Sequence, residues 1–119
     1  MSICVVAGGK ALTLAAALFT LSWTHSVEKI RWEEDWRATP AGLKIVEARV
    51  QGSGAGMEPP PDASFAAGWW RYSPSLPAQS ELVLAASGTT GSGWRLCAAG
   101  TCHELGAESG KPVTVRYCE

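Results

Sequence analysis

Two ionisable side chains, His25 and Glu34, occupy positions on sequence faces that are otherwise apolar. From residue 19 to residue 27, apolar and polar side chains alternate, and residues 32–39 repeat the pattern. Alternation with a period of two is typical of a β-strand with one buried face. A titratable group on such a face needs a partner or must lose its charge. His25 and Glu34 are therefore the first candidates for a functional site.

A tight hairpin between these two strands would bring the two side chains together. With a loop inside residues 28–31, His25 faces Glu34, and the same register sets Trp23 against Trp36. Directly opposed residues have Cβ atoms about 5 Å apart, so the imidazole and the carboxylate could share a proton. A slip by one residue would bury the charged face, whereas slips by two residues keep the faces correct. The pair has two interpretations, a structural pair that fixes the register or a ligand-binding site.

Length and charge exclude several classes of function. The 119 residues suffice for one domain, and we expect a single all-β domain over residues 1–119. Ten basic and eleven acidic side chains give a net charge of −1 without a basic stripe, so we expect no nucleic-acid partner. The apolar run at residues 11–23 is too short to cross a bilayer. We therefore interpret residues 2–27 as strands of the mature domain and expect no transmembrane span.

The pattern along the chain is that of an all-β protein. Short apolar segments are separated by turn signals, and none of them carries a helical period. We expect a small antiparallel β-sandwich or barrel of about eight or nine short strands. The continuous apolar run at residues 82–86 is expected to be a strand buried on both sides. The candidate strands are residues 3–7, 10–16, 19–27, 32–39, 43–50, 69–72, 82–86, 94–98, 101–105 and 113–118.

A glycine-rich segment follows the candidate strand at residues 43–50. Glycine lets the backbone approach a ligand closely, and successive exposed N–H groups could form an anion-binding nest. The Gly-Lys-Ser/Thr ending of a phosphate loop is absent, so a nucleotide site is not expected, and we predict no cofactor. The alternative interpretation is a plain flexible loop. The candidate binding residues here are Gly54, Ala55, Gly56 and Met57.

Four cysteines allow two disulfide bonds. Cys97 and Cys102 flank a predicted two-residue turn and would face each other where cross-strand side chains are closest. Cys4 and Cys118 lie in the first and last candidate strands, which could pair at a sheet edge. The alternatives are four reduced thiols, or a zinc site that uses Cys97, Cys102 and His103.

Several motifs of the chain, taken together, resemble an uncharacterised bacterial family. The motifs are Trp23-Thr24-His25-Ser26-Val27-Glu28-Lys29, Glu33-Glu34, Gly54-Ala55-Gly56-Met57, and Trp94-Arg95-Leu96-Cys97 with Cys102. Members of that family are small domains of unknown function, often encoded beside TRAP (tripartite ATP-independent periplasmic) transporters of the TAXI subclass. The resemblance covers nearly the whole chain. It implies an accessory role in solute uptake, with a TRAP permease or solute-binding protein as partner.

The resemblance also bears on the site and on localisation. It matches His25, Ser26, Glu28, Glu34 and the Gly54–Met57 loop, and so it favours the ligand-binding interpretation of these residues. Many relatives carry an amino-terminal membrane segment or signal, which implies the cell envelope. This sequence shows no clear signal of that kind, which would instead place the protein in the cytoplasm.

We expect a non-enzymatic accessory or small-ligand-binding module, in which Trp69 and Trp70 are either an exposed anchor or part of the core. One alternative is a small hydrolase-like enzyme with His25 and Glu34 as an acid-base pair. Under strict alternation Ser26 points away from His25, so a Ser-His-Glu arrangement would need a bulge. The other alternative is a metal-binding domain.

Overall fold

The computed structural model describes residues 1–24, 30–52, 61–86 and 93–119, and these form eleven β-strands and no helix. The strands lie in two antiparallel sheets that do not close into a barrel. The expected all-β fold is confirmed, with more strands in the described ranges than the eight or nine expected. The strands are β1 (Ser2–Ala7), β2 (Lys10–Leu14), β3 (Leu18–Thr24), β4 (Arg31–Thr39), β5 (Gly42–Gln51), β6 (Ser64–Ala66), β7 (Trp69–Tyr72), β8 (Leu82–Leu84), β9 (Trp94–Ala98), β10 (Thr101–Leu105) and β11 (Val113–Cys118).

The small sheet has the strand order β2-β1-β11-β8, so the first and last strands of the chain form its centre. A disulfide bond between Cys4 and Cys118 joins these two central strands, with Cα atoms 5.8 Å apart. The two strands do pair, but at the centre of the sheet and not at an edge as expected. The chain ends are thereby tied together by both hydrogen bonds and a covalent bond.

The large sheet has the order β10-β9-β3-β4-β5-β7-β6. Its edge strand β6 was not predicted, since it has only three residues and all of them are exposed. The prediction that residues 82–86 are buried on both sides is wrong. Strand β8 is an edge strand of the small sheet, and its Val83 is 59% exposed while Leu84 faces the core.

The core fills the space between the two sheets. Strands β1, β3, β4, β9 and β11 contribute alternate residues to it, as period-two patterning requires, and burial of each large aliphatic side chain stabilises the fold by roughly 1.5–3 kcal/mol. The small sheet supplies Ile3, Val5, Leu84, Val113 and Val115, and the large sheet supplies Phe19, Leu21, Trp36, Ala38, Leu43, Ile45, Ala48, Leu96, Ala98 and Leu105.

A β-bulge in β5 adjusts which side chains face the core. Asp35 pairs with Glu47, whereas the next residue, Trp36, pairs with Ile45, so Val46 is the extra residue. The bulge leaves Val46 exposed and keeps Ile45 in the core. It also places Glu47 beside Asp35 on the outer face of the sheet.

Candidate functional site

The observed register of β3 and β4 differs from the predicted one. Glu34 lies opposite Leu21, and Trp23 lies opposite Trp32. The predicted pairings of Glu34 with His25 and of Trp23 with Trp36 are therefore wrong. Within the described ranges Thr24 lies opposite Arg31, and Leu21 takes the place that the prediction gave to His25, a shift of four residues along β3. Slips by an even number of residues preserve both faces, which is why the alternation did not reveal the error.

Of the predicted binding residues, Glu34 lies within the described ranges. His25, Ser26 and Glu28 in one segment, and Gly54, Ala55, Gly56 and Met57 in another, lie outside them. Within the described ranges the chain leaves β3 at Thr24 and β5 at Gln51, which belong to the same end of the large sheet.

Glu34 lies on the inner face of β4, as the alternation predicts, and it is half-buried. Burial raises the pKa of its carboxyl, and a hydrogen bond from the Trp36 Nε1–H to Oε1, 3.1 Å long, partly opposes that rise. In the row across the sheet, Glu34 is followed by Ala48 and then Tyr72. Burial and the negative charge of Glu34 both raise the pKa of the Tyr72 hydroxyl. Glu34 thus supplies negative charge to an otherwise apolar inner face.

The next row towards the end of the sheet is almost entirely aromatic. Trp23 stacks on Trp32 with ring centroids 6.1 Å apart, and Trp94 packs against Trp23 at 4.9 Å. Further along the row, Phe65 packs against Trp70 at 4.9 Å. We call this set the tryptophan row; across β9, β3, β4, β5, β7 and β6 it consists of Trp94, Trp23, Trp32, Val50, Trp70 and Phe65.

Some indole N–H groups on this face have a hydrogen-bond acceptor within the described ranges, and others do not. The Trp94 Nε1–H donates to the Ala85 carbonyl at 2.9 Å, and the Trp36 Nε1–H donates to Glu34. The Nε1 atoms of Trp32 and Trp70 are also buried, but they find no acceptor within the described ranges. A buried donor without an acceptor costs about 1–3 kcal/mol. Two such donors in one row are unusual in a folded domain and mark the row as a place that could donate hydrogen bonds to a bound molecule.

The outer face of the same strands is polar and internally paired. The Arg49 guanidinium contacts Glu33 at 3.1 Å, Asp35 at 2.7 Å and Glu47 at 2.9 Å, and its side chain is only 12% exposed. Arg71 adds a second contact to Glu47 at 3.0 Å. We call these five residues the Arg49 network.

Electrostatics within the Arg49 network follow from this geometry. The hydrogen bonds from Arg49 hold the pKa of Asp35 below its usual value, with a further hydrogen bond from the Thr20 hydroxyl at 2.8 Å. In return, hydrogen bonds to Asp35, Glu47 and Glu33 raise the pKa of the Arg49 guanidinium. Every charge of this network has an opposite charge in contact, which is the arrangement of a structural cluster.

Cys97 and Cys102 lie directly opposite each other in β9 and β10 and are joined by a disulfide bond, with Cα atoms 4.0 Å apart. His103 follows Cys102 on β10. Within the part of the chain that the structure describes, no three His, Cys, Asp or Glu side chains are grouped so that they could hold a metal ion. The same part contains no helix long and apolar enough to cross a membrane.

Sequence reasoning missed the aromatic row as a unit. Trp23, Trp32, Trp70 and Trp94 are visible in the sequence, but only the correct register places them side by side. Their common inner-face parity was the available signal: Trp23, Trp32 and Trp94 each lie an even number of residues from a buried apolar residue of the same strand, and Trp70 pairs with the buried Val50.

The fold and this site define a small all-β domain whose larger sheet presents a tryptophan row and a half-buried carboxylate on its inner face. The chain belongs to the family described as "Domain of unknown function (DUF1850)", whose model matches residues 19–105. That match contains Glu34 and the whole tryptophan row. Searches of curated proteins and of solved structures gave no significant match to this chain.

Proposed function

We propose that this chain is a non-enzymatic accessory module of a TRAP (TAXI-type) solute uptake system and that it binds its ligand or partner at the tryptophan row. The association with an uptake system rests on the sequence resemblance. The observation that carries the binding role is the pair of buried Nε1–H donors of Trp32 and Trp70, which lack acceptors within the described ranges. An acceptor atom brought by a bound molecule would recover the free energy that these donors otherwise lose.

The chemistry of the row supports a binding role. Tryptophan combines a large apolar surface with one polar donor, and it is enriched where proteins bind other molecules. Glu34 lies one row away and provides an acceptor for a donor group of the bound molecule. The site therefore suits a molecule with an apolar body, at least one acceptor oxygen and a donor group.

The observed register weakens the enzymatic alternative. Leu21, and not His25, lies opposite Glu34, so the cross-strand argument for an acid-base pair no longer holds. The Glu34 carboxylate instead accepts a hydrogen bond from Trp36 within its own strand. Its raised pKa follows from burial alone and needs no catalytic role.

Co-purification with the TRAP permease and the solute-binding protein, each in detergent at high concentration, tests the proposal. The informative variant is the double substitution Trp32→Phe with Trp70→Phe, which keeps aromatic rings but removes both unpaired donors. Trp69→Phe is the matched control, because Trp69 neighbours Trp70 in β7 but points to the opposite face.

We expect the wild type and the Trp69→Phe variant to retain a complex, and the double variant to retain it at least about tenfold less well. Absence of any complex with the wild type would overturn the association with the uptake system. Equal retention by the double variant would overturn the assignment of binding to the tryptophan row.

A further inference from the structure

We propose that a small pocket on the outer face of the large sheet binds the carboxylate group of a small organic anion. The pocket has a volume of about 150 Å³, and its lining includes Ser22, Thr24, Arg31, Arg95 and Glu104. The lining also includes Trp23 of the tryptophan row, whereas Trp32 and Trp70, whose donors carry the proposed function, lie on the opposite face of the sheet from the two arginines. The arginine side of the pocket is therefore a second binding group and goes beyond the proposed function.

Strand pairing places two guanidinium groups on either side of β3. Arg95 on β9 lies opposite Ser22, and Arg31 on β4 lies opposite Thr24. Because neighbouring strands are about 4.8 Å apart, the two arginine strands are separated by roughly 10 Å, with β3 and its two hydroxyl groups between them. An anion over β3 would therefore be within reach of both guanidinium groups and of the Thr24 hydroxyl.

The two arginines have donors to spare. Arg31 donates Nε–H to Glu33 at 3.2 Å and Nη2–H to the Ser22 hydroxyl at 3.1 Å. Arg95 approaches Glu104 only to 3.9 Å, too far for a hydrogen bond. A guanidinium has five N–H donors and matches the two oxygens of a carboxylate with a fork of parallel hydrogen bonds. Arg95 in particular offers that fork to a ligand.

Ser22 anchors the floor of the pocket. Ser22 is only 3% exposed, although it lies on the polar face of β3. The hydrogen bond from Arg31 covers it and fixes the direction of that guanidinium. One side of the pocket is thus preorganised, which lowers the entropy lost when a ligand binds.

The balance of charge distinguishes this pocket from the Arg49 network. Arg49 has three carboxylates in contact, whereas among the described lining residues the two arginines of the pocket have one carboxylate beside them, Glu104, at long range. Glu33 also contacts Arg31, but it is shared with Arg49. An added carboxylate would give Arg95 the kind of partner that Asp35 gives Arg49.

The size of the pocket limits the ligand. A volume of about 150 Å³ corresponds to roughly five water molecules of about 30 Å³ each. A carboxylate with a short carbon chain fits this space, whereas most of a larger ligand would extend into solvent. We therefore assign the pocket to a small monocarboxylate or to the carboxylate end of a longer molecule.

Titration of the ¹⁵N-labelled protein with acetate, followed by NMR at the arginine Nε–H groups, tests this assignment. Chloride and inorganic phosphate at matched ionic strength are the comparison anions. We expect saturable shifts of the Arg31 and Arg95 signals with acetate, and only weak, linear shifts with chloride. Saturable binding of phosphate without binding of acetate would overturn the assignment to carboxylates.

Two variants that should change acetate affinity in opposite directions test whether acetate binds in this pocket. Arg95→Gln removes the free fork and should weaken acetate binding by about tenfold, with Arg116→Gln in the small sheet as the control. Glu104→Gln removes the competing carboxylate and should strengthen acetate binding by roughly threefold, with Glu81→Gln as the control for net charge. If Arg95→Gln and Arg116→Gln reduce acetate binding equally while their amide spectra stay native, the pocket is not the binding site. Weaker binding by Glu104→Gln would also overturn the proposal.

Discussion

The two faces of β4 shift the pKa values of neighbouring carboxylates in opposite directions. Asp35 on the outer face contacts Arg49 and has a lowered pKa, while Glu34 on the inner face is half-buried and has a raised pKa. Around Arg49 the outer face matches each carboxylate with a cation, whereas the inner face places its carboxylate between Leu21 and Ala48 with a hydrogen bond from the Trp36 indole. The same residue class is therefore structural on one face and a candidate binding group on the other.

The difference also appears in the hydrogen-bond donors of the two faces. On the outer face Arg49 reaches three carboxylates, whereas on the inner face the Trp32 and Trp70 donors have no acceptor within the described ranges. The fully paired Arg49 network gains little from a ligand, because every new contact replaces an existing one. The unpaired donors of Trp32 and Trp70 make the inner face respond more strongly to a ligand than this network does.

Loss of Arg49 should lower the free energy of unfolding more than any other substitution proposed here. Arg49→Met leaves three carboxylates close together without their shared cation, and we expect the free energy of unfolding to fall by about 3 kcal/mol at pH 7. Urea denaturation measures the change. Arg37→Met is the control, since Arg37 is exposed on the same face of β4, and it should change stability by less than about 0.5 kcal/mol. Equal losses would show that the network does not stabilise the outer face.

Much of this sheet was predictable from the sequence, but its register was not. Short apolar segments and turn signals located β7, β9, β10 and β11 at their observed bounds, and period-two alternation placed Glu34 on the inner face. Alternation fixes only which face a residue occupies, so a shift of β4 against β3 by an even number of residues leaves it unchanged. The assumed tight loop then selected the wrong partner for Glu34.

The remaining misses have a common physical origin, the position of a strand within its sheet. Strand β8 reads as a buried apolar run, yet Val83 is exposed because β8 is at an edge. Cys4 and Cys118 were placed at an edge, although their strands are central. Strand order depends on pairing between residues far apart in the chain, so local sequence patterns do not determine it.

The tryptophans of the inner face offer a second test, because the Trp36 N–H has a hydrogen-bond acceptor and the Trp32 N–H has none within the described ranges. Trp36→Phe removes the donor to the half-buried Glu34 and should lower the free energy of unfolding by about 2 kcal/mol. Trp32→Phe removes a donor that has no acceptor within the described ranges, so the loss should stay below about 1 kcal/mol. Thermal unfolding of both variants measures the difference. A larger loss for Trp32→Phe would mean that its N–H is satisfied in solution.

The opposite pKa shifts of Glu34 and Asp35 predict opposite pH dependences. The pKa of Glu34 is raised above its usual 4.5, so its contribution to stability is complete below pH 4.5 and is lost as pH rises through the raised value. The pKa of Asp35 is lowered below its usual 3.8, so its contribution is present above pH 3.8 and is lost as pH falls through the lowered value.

Substitution of each carboxylate should expose these two trends. Glu34→Gln keeps an acceptor for Trp36 without the charge, and it should stabilise the fold by about 1 kcal/mol at pH 7 and by little at pH 4. Asp35→Asn should destabilise the fold by about 1 kcal/mol at pH 7, and that loss should shrink as pH falls below 3.8. Urea denaturation between pH 3 and pH 8, with Glu81→Gln as the exposed control, measures both. Parallel pH profiles for the two variants would contradict the contrast between the faces.

The smallest change in stability is expected at the Arg95–Glu104 contact, where the charges of the outer face are most weakly paired. Arg95 and Glu104 are 49% and 58% exposed and 3.9 Å apart, so Glu104→Gln should change the free energy of unfolding by less than about 0.5 kcal/mol. The same substitution should strengthen acetate binding, since it leaves Arg95 without a competing carboxylate. Chemical denaturation with and without acetate separates the two effects. A stability loss comparable to that of Arg49→Met would show that this corner belongs to the structural network, and the outer face would then be uniformly paired.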